Sequence, residues 1–222
     1  GRTFDGLEGT IINRNSGAES TITALLALLQ AEARPAARAA LDYVWLEAHG
    51  DLVLELETGT DFGEHPATEP DEGASGQLTA VLEPGASLRL PFDLERGGAY
   101  RVYALYRAEP FEAAAEVFLG AQRLGQAGSS AGDAAAAQGQ MLELGVHELA
   151  AGPQTFTVSH SAGRALRFDA LVLRPAVMEK LYGQAGERLL LLKSWRGDAA
   201  SVALREDLGA DAHARVYDRF AV

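Results

Sequence analysis

A chain of 222 residues, 47% of them apolar, is long enough for one or two domains with a substantial core, and no window approaches the roughly 18 uninterrupted apolar residues of a membrane span. The formal charge of −12, from 31 acids against 19 bases, argues against a nucleic-acid partner, because affinity there comes from neutralising phosphates. Cysteine is absent, which removes disulfides and thiolate metal sites. Lysine occurs only at Lys180 and Lys193 and asparagine only at Asn13 and Asn15, so the rare residues are the informative ones.

The chain opens Gly1-Arg2-Thr3-Phe4 without an initiator Met, which predicts an N-terminus cut by processing or a fragment boundary, with any export signal lost alongside it. A polar stretch follows: Asp5, Glu8, Thr10, Asn13, Arg14, Asn15, Ser16 and Glu19. Polar groups gathered at a helix start can hold an anion or a sugar hydroxyl, which makes Asn13, Arg14 and Asn15 candidate ligand-binding residues. Ser16 and Glu19 have capping-box spacing, so Glu19 is either a cap or a general acid or base. Ile22, Leu25, Leu26, Leu28 and Leu29 predict a helix ending near Gln30, and Pro35 opens a second helix expected to run through Ala36, Ala40, Leu41 and Val44. Two helices cannot enclose a core, so the pair either packs on the rest of the chain or ends a larger helical domain.

The run INRNSGAESTITALLALL (12–29) resembles the end of the helical-toroid catalytic domain of bacterial glycoside hydrolases, just before an attached carbohydrate-binding module. The resemblance implies that Asn13, Asn15 and Glu19 are cleft-side remnants and that a complete catalytic site is not contained in this chain.

From about residue 49 the period changes to that of strands. Leu52 to Glu57 carries Glu55 and Glu57, and 58–76 reads as an exposed acidic loop containing Asp61, Glu64 and His65. Residues 77–82 form a short strand. In the segment 87–94, Leu88, Leu90, Phe92 and Leu94 alternate with Arg89, Pro91 and Asp93, the pattern of a half-buried strand. Gly97 and Gly98 mark a tight reversal, and 100–106 is apolar on both faces, so it belongs in the middle of a sheet. Further strands fall at 116–119, 141–149, 155–160 and 166–173, with a low-complexity loop at 126–140. Many short strands with turn signals between them predict an antiparallel β-sandwich or jelly roll.

The succession EPGASLRLPFDLERGGAYRVYALYR, EVFLGAQRLG, LELGVHELAAGPQTFTVSH and FDALVLRP resembles the family 6 and family 35 carbohydrate-binding modules of the galactose-binding-like class, over about 120 residues. The resemblance implies a structural calcium held by Glu55 and Glu57 in LELE and Asp169 in FDAL, carboxylate oxygens being the ligands calcium takes. Many such modules stack a Trp or Tyr on the sugar ring. Here Trp45 and Trp195 lie outside the variable loops, and Tyr100, Tyr103 and Tyr106 fall on core strands, which leaves Asp61, Glu64, His65 and Asp133 as candidate sugar contacts.

After residue 177, strands are expected at 188–195, 201–205 and 214–218, a partial immunoglobulin-like unit too small to stand alone. Nucleophile-elbow, phosphate-loop, dinucleotide and zinc-protease motifs do not occur, and the five histidines lack zinc-ligand spacing.

The expectation is a mainly β chain, an antiparallel sandwich of the galactose-binding-like type (49–177) between an N-terminal helical segment (1–48) and a small C-terminal β piece (178–222). Its expected role is a non-catalytic carbohydrate-binding or accessory module of a secreted bacterial glycoside hydrolase, extracellular or periplasmic, partnered by a polysaccharide and by an upstream catalytic domain of the same polypeptide, with no nucleic-acid or membrane partner. Two alternatives stand beside it: a hydrolase fragment whose helical segment contributes Glu19 to a shared active site, and a purely structural sandwich.

Overall fold

The computed structural model of the chain describes residues 6–8, 11–13, 18–35, 38, 41–60, 65–107, 113–129, 139–184, 186–195 and 213. Strands β1 (Gly6–Glu8) and β2 (Ile11–Asn13) pair antiparallel in a small ribbon, within the stretch expected to be loop, and helix α1 (Ala18–Glu32) follows. Then come β3 (Val44–His49), β4 (Leu52–Glu55), a 3₁₀ turn at Leu56–Thr58, β5 (Ala67–Pro70), β6 (Leu78–Leu82), β7 (Ser87–Leu94) and β8 (Gly98–Arg107). The remaining strands are β9 (Ala113–Leu119), β10 (Gln122–Ser129), β11 (Gly139–Leu149), β12 (Gly152–Gly163), β13 (Leu166–Pro175), β14 (Val177–Gln184) and β15 (Glu187–Ser194).

Two antiparallel sheets face each other, as the alternating patterns predict. One has the order β10-β9-β12-β7; the other runs β11-β8-β13-β6-β5, with β4 also paired to β13. A single apolar cluster fills the space between them. Leu88, Leu90 and Leu94 of β7, Val117 of β9 and Phe156 and Val158 of β12 meet Tyr100, Val102 and Tyr106 of β8, Phe168, Leu171 and Leu173 of β13, and Leu82 of β6. Phe92 stacks on Phe156 at 5.0 Å between ring centres. Each fully buried side chain of this kind contributes about 1.5–3 kcal/mol of transfer free energy, which is what holds the two layers together. β8 lies between β11 and β13, as its two apolar faces require; its outward Tyr103 and Leu105 form a second small cluster with Val172.

The tight reversal at 95–98 links the two layers: β7 pairs β12 in one sheet while β8 pairs β11 and β13 in the other, so the turn carries the chain across the sandwich. One local expectation is corrected. The second helix does not reach Val44. Val44–His49 is a strand paired antiparallel to β14, because β-branched and aromatic side chains suit an extended edge and tertiary pairing overrides helical periodicity. With β15 on its other side, β14 is the centre of a three-stranded sheet ordered β15-β14-β3. The further strands expected at 201–205 and 214–218 lie outside the described residues.

Trp195, just past β15, ties this small sheet back to the sandwich. Its Nε1 donates to the Pro175 carbonyl at 2.6 Å, and the Arg101 guanidinium stacks over its ring at 4.1 Å. A second tie is charged. Arg96, in the turn after β7, donates from Nη1 to Glu179 of β14 at 2.5 Å and lies 3.8 Å from Glu47 of β3. The Tyr100 hydroxyl donates to the Arg96 carbonyl at 2.7 Å and sits 3.4 Å from His49 Nε2.

Candidate functional site: a buried carboxylate cluster

The site is built where β13 changes partners. On one side β13 pairs with β6 as far as Phe168 and with β4 from Ala170 onward; on the other, a bulge against β8 falls between the same two residues. Asp169 is the extra residue of that bulge, and a bulge re-aims the side chain it carries. Its carboxylate is buried, at 7% exposure, and accepts the Ser75 amide at 3.0 Å and 3.1 Å. The Ser75 hydroxyl donates to Glu55 Oε1 at 2.5 Å, and Glu55, the last residue of β4, lies in register with Ala170. Glu57 follows on the 3₁₀ turn.

The segment between β5 and β6 closes over these groups. Its turns are set by Asp71 N to Gln77 O, Ala74 N to Asp71 O and Gln77 N to Ala74 O. This segment was expected to be solvent-exposed loop; instead Asp71 and Ala74 are buried. Asp71 accepts the Gly73 amide at 2.9 Å and a close ion pair from Arg107 at the end of β8. Gly76 has φ +66°, and a Cβ there would sit 3.2 Å from Glu57 Oε1, so both backbone conformation and space favour glycine.

Four carboxylates therefore share one end of the sandwich against one guanidinium. The electrostatic consequence is visible in the protonation equilibria. Asp169 is pushed up from 3.8 to about 7, by burial first; the Ser75 amide works the other way, and the charges of Glu55, Glu57 and Asp71 add to the rise. Glu57 is also pushed up by burial and by the Glu55 charge, against a hydrogen bond from its own backbone. Glu55 Oε2 and Glu57 Oε2 are buried without a hydrogen-bond partner. An oxygen-only donor set with surplus negative charge and orphaned oxygens fits a hard cation such as calcium in its chemistry. Among the described residues, no group of three or more His, Asp or Glu side chains is placed so that it could hold a metal ion.

Of the residues singled out in the sequence, the structure brings Glu55, Glu57 and Asp169 together and adds Asp71, Ser75 and Arg107, which were missed. His65 is tied by Nδ1 to the Gly59 carbonyl at 3.1 Å. Asn13 ends β2, opposite Gly6, and Glu19 lies in the first turn of α1. Arg14, Asn15, Asp61, Glu64 and Asp133 lie outside the described residues. Tyr100, Tyr103 and Tyr106 are buried packing residues, as their strand positions predict.

No family model matches the chain, and no curated protein does. Solved structures with which it shares similarity include the GH26-CBM35 β-(1,4)-mannanase of Podospora anserina, at 20% identity and a TM-score of 0.46 over 57% of this chain and 28% of that one. A family 35 carbohydrate binding module from Clostridium thermocellum gives 12% identity and a TM-score of 0.46 over 58% of this chain and all of the module. The C-terminal CBM6 of the laminarinase LamC from Zobellia galactanivorans gives 15% identity and 0.42 over 56% of this chain and 98% of that one. The chain thus matches under a third of the length of the mannanase.

Proposed function

We propose that this chain is a non-catalytic, calcium-binding β-sandwich module that binds a polysaccharide or oligosaccharide and serves an exported glycoside hydrolase, outside the cell or in the periplasm. The observation that supports the reading is the surplus of negative charge around buried Asp169, which Glu55, Glu57 and Asp71 supply, with one oxygen each of Glu55 and Glu57 buried without a hydrogen-bond partner. Glu55, Glu57 and Asp169 are the three positions at which the motif order resembles that of the family 6 and 35 modules. Calcium would supply positive charge and would cross-link β4, β13 and the segment 71–77.

The chain's own residues prepare that cross-link. Ser75 holds Asp169 with its amide and Glu55 with its hydroxyl, which orients two carboxylates at once. Arg107 and the Gly73 amide fix Asp71. A loop tied down in this way is a rigid rim for sugar contacts, and holding an attached enzyme on its polysaccharide raises local substrate concentration by tethering.

Affinity electrophoresis of the chain through gels of neutral and acidic polysaccharides, with calcium and with chelator, tests the reading. Retardation by at least one polysaccharide, lost on chelation, is the expected result. Unretarded migration in every gel overturns the sugar-binding claim, and a melting temperature indifferent to calcium and chelator removes the cation.

A further inference from the structure

Among the described residues, eleven of the fourteen exposed large apolar side chains fall in one part of the chain: Ile22, Leu25, Leu26, Leu28 and Leu29 of α1, Leu41 after it, and Val44, Trp45, Leu46, Leu191 and Leu192 of the small sheet. On α1, residues 22, 25, 26 and 29 follow the i, i+3, i+4, i+7 spacing of one helical face, and that face is more than half exposed. The helix makes no extended packing contact with any described strand. The small sheet turns Glu179 and Leu181, in register with His49 and Glu47, toward Arg96 and the sandwich. Its opposite face carries Trp45, Tyr182, Leu189 and Leu191, which are neighbours across the three strands, and Trp45 is 66% exposed.

We propose that these two apolar faces cover each other between two copies of this chain, α1 of each copy lying on the outer face of the other's β3-β14-β15 sheet. Three observations select a second copy as the occupant. A helical stripe and a flat sheet face are shape-complementary, and placing one on the other builds a layer that the described residues of a single chain do not form. Charge is complementary as well. Lys180 and Lys193, both lysines of a chain with net charge −12, fall on the same sheet face as Leu191, with Glu187 as the acid at its outer end bonded by the Tyr43 hydroxyl, while α1 carries Glu19 and Glu32 and no basic residue. Area is the third. The eight side chains of the two faces, 22, 25, 26 and 29 on the helix and 45, 182, 189 and 191 on the sheet, offer on the order of 700 Å² per copy, close to the roughly 800 Å² per partner of a standard stable interface. A two-fold axis makes the contact isologous, so each surface is used once in each direction and the assembly closes at two.

Sedimentation equilibrium of the full 222-residue chain, from low micromolar to near millimolar concentration, tests the proposal together with fluorescence of a Trp195→Phe variant, whose only indole is Trp45. The expected result is a monomer–dimer equilibrium, with Trp45 emission shifting to the blue as dimer forms. Leu26→Lys on the helix and Leu191→Lys on the sheet each enter both contacts, and each weakens the dimer by about a hundredfold with the circular dichroism of the monomer unchanged. A chain monomeric at every concentration with Trp45 in water overturns the proposal. So does a monomer whose Trp45 is shielded until Leu26→Lys exposes it, which would mean that the chain's own helix covers the sheet. Assemblies larger than two overturn the reciprocal arrangement.

Discussion

Replacing Asp169 with Asn isolates the electrostatic cost at the centre of the carboxylate cluster. Folding moves the Asp169 carboxyl from the ordinary 3.8 to about 7, so between these values the native state holds its proton more tightly than the unfolded chain does. Its contribution to stability is therefore fully present below about pH 4, declines as pH rises toward 7, and is level above that, the total loss being about 4 kcal/mol. Asn cannot ionise, keeps an oxygen for the Ser75 amide, and brings two donors into a cluster where Glu55 Oε2 and Glu57 Oε2 lack partners. Urea unfolding near pH 4 and near pH 8, with chelator present, measures the difference. The variant is expected to match the parent at the lower pH and to exceed it by about 2–4 kcal/mol at the higher one, the lower figure allowing for solvent screening. Calcium should reverse the order at pH 8, stabilising the parent and leaving the Asn variant unmoved. Equal stabilities at pH 8 without metal would refute the argument that like charges and burial, rather than the Ser75 hydrogen bonds, dominate Asp169.

Three further outcomes follow from the geometry. Gly76→Ala forces a left-handed residue and crowds Glu57, and is expected to cost about 1–2 kcal/mol in urea melts and to weaken any calcium response. Arg96→Ala leaves the buried Glu179 carboxylate unpaired, so amide exchange in β14 should accelerate while β12 and β13 stay protected, with a stability loss of about 3 kcal/mol. Phe156→Ala empties the middle of the sandwich beneath Phe92 and should cost about 3–5 kcal/mol, read from the denaturation midpoint at unchanged slope.

The sandwich was legible because its inner faces alternate. Leu88, Leu90 and Leu94 are buried and Arg89 and Asp93 are not, and the doubly apolar β8 sits in mid-sheet. Which strand pairs with which was not legible, since a glycine turn at 97–98 looks the same whether the chain turns back beside itself or crosses to the facing layer. Glu55, Glu57 and Asp169 were recoverable from motif order. Asp71 and Ser75 were hidden in an acidic, glycine-rich segment whose composition is that of solvated loops; only its turns and the bulge at Asp169 fold it inward. Val44–His49 was misassigned for a similar reason. Its partner, β14, is more than 120 residues away, and local periodicity carries no trace of a contact that distant.

The small sheet also fixes how the sandwich responds to being pulled. β3 is the strand by which the chain enters the sandwich and β14 the strand by which it leaves, and the two are antiparallel neighbours with Val44 opposite Gly183 at the outer end and His49 opposite Glu179 at the inner one. Tension applied through the flanking polypeptide enters β3 at Val44, at the outer end, and leaves β15 at Ser194, which lies opposite Val177 at the inner end, so it pulls the strands lengthwise past one another instead of peeling them apart. The module thus carries a shear clamp beside its core: a tug between neighbouring parts of a longer chain would be resisted by both ladders of β14 together, with Trp195 seated on the Pro175 carbonyl as the anchor at the sandwich side.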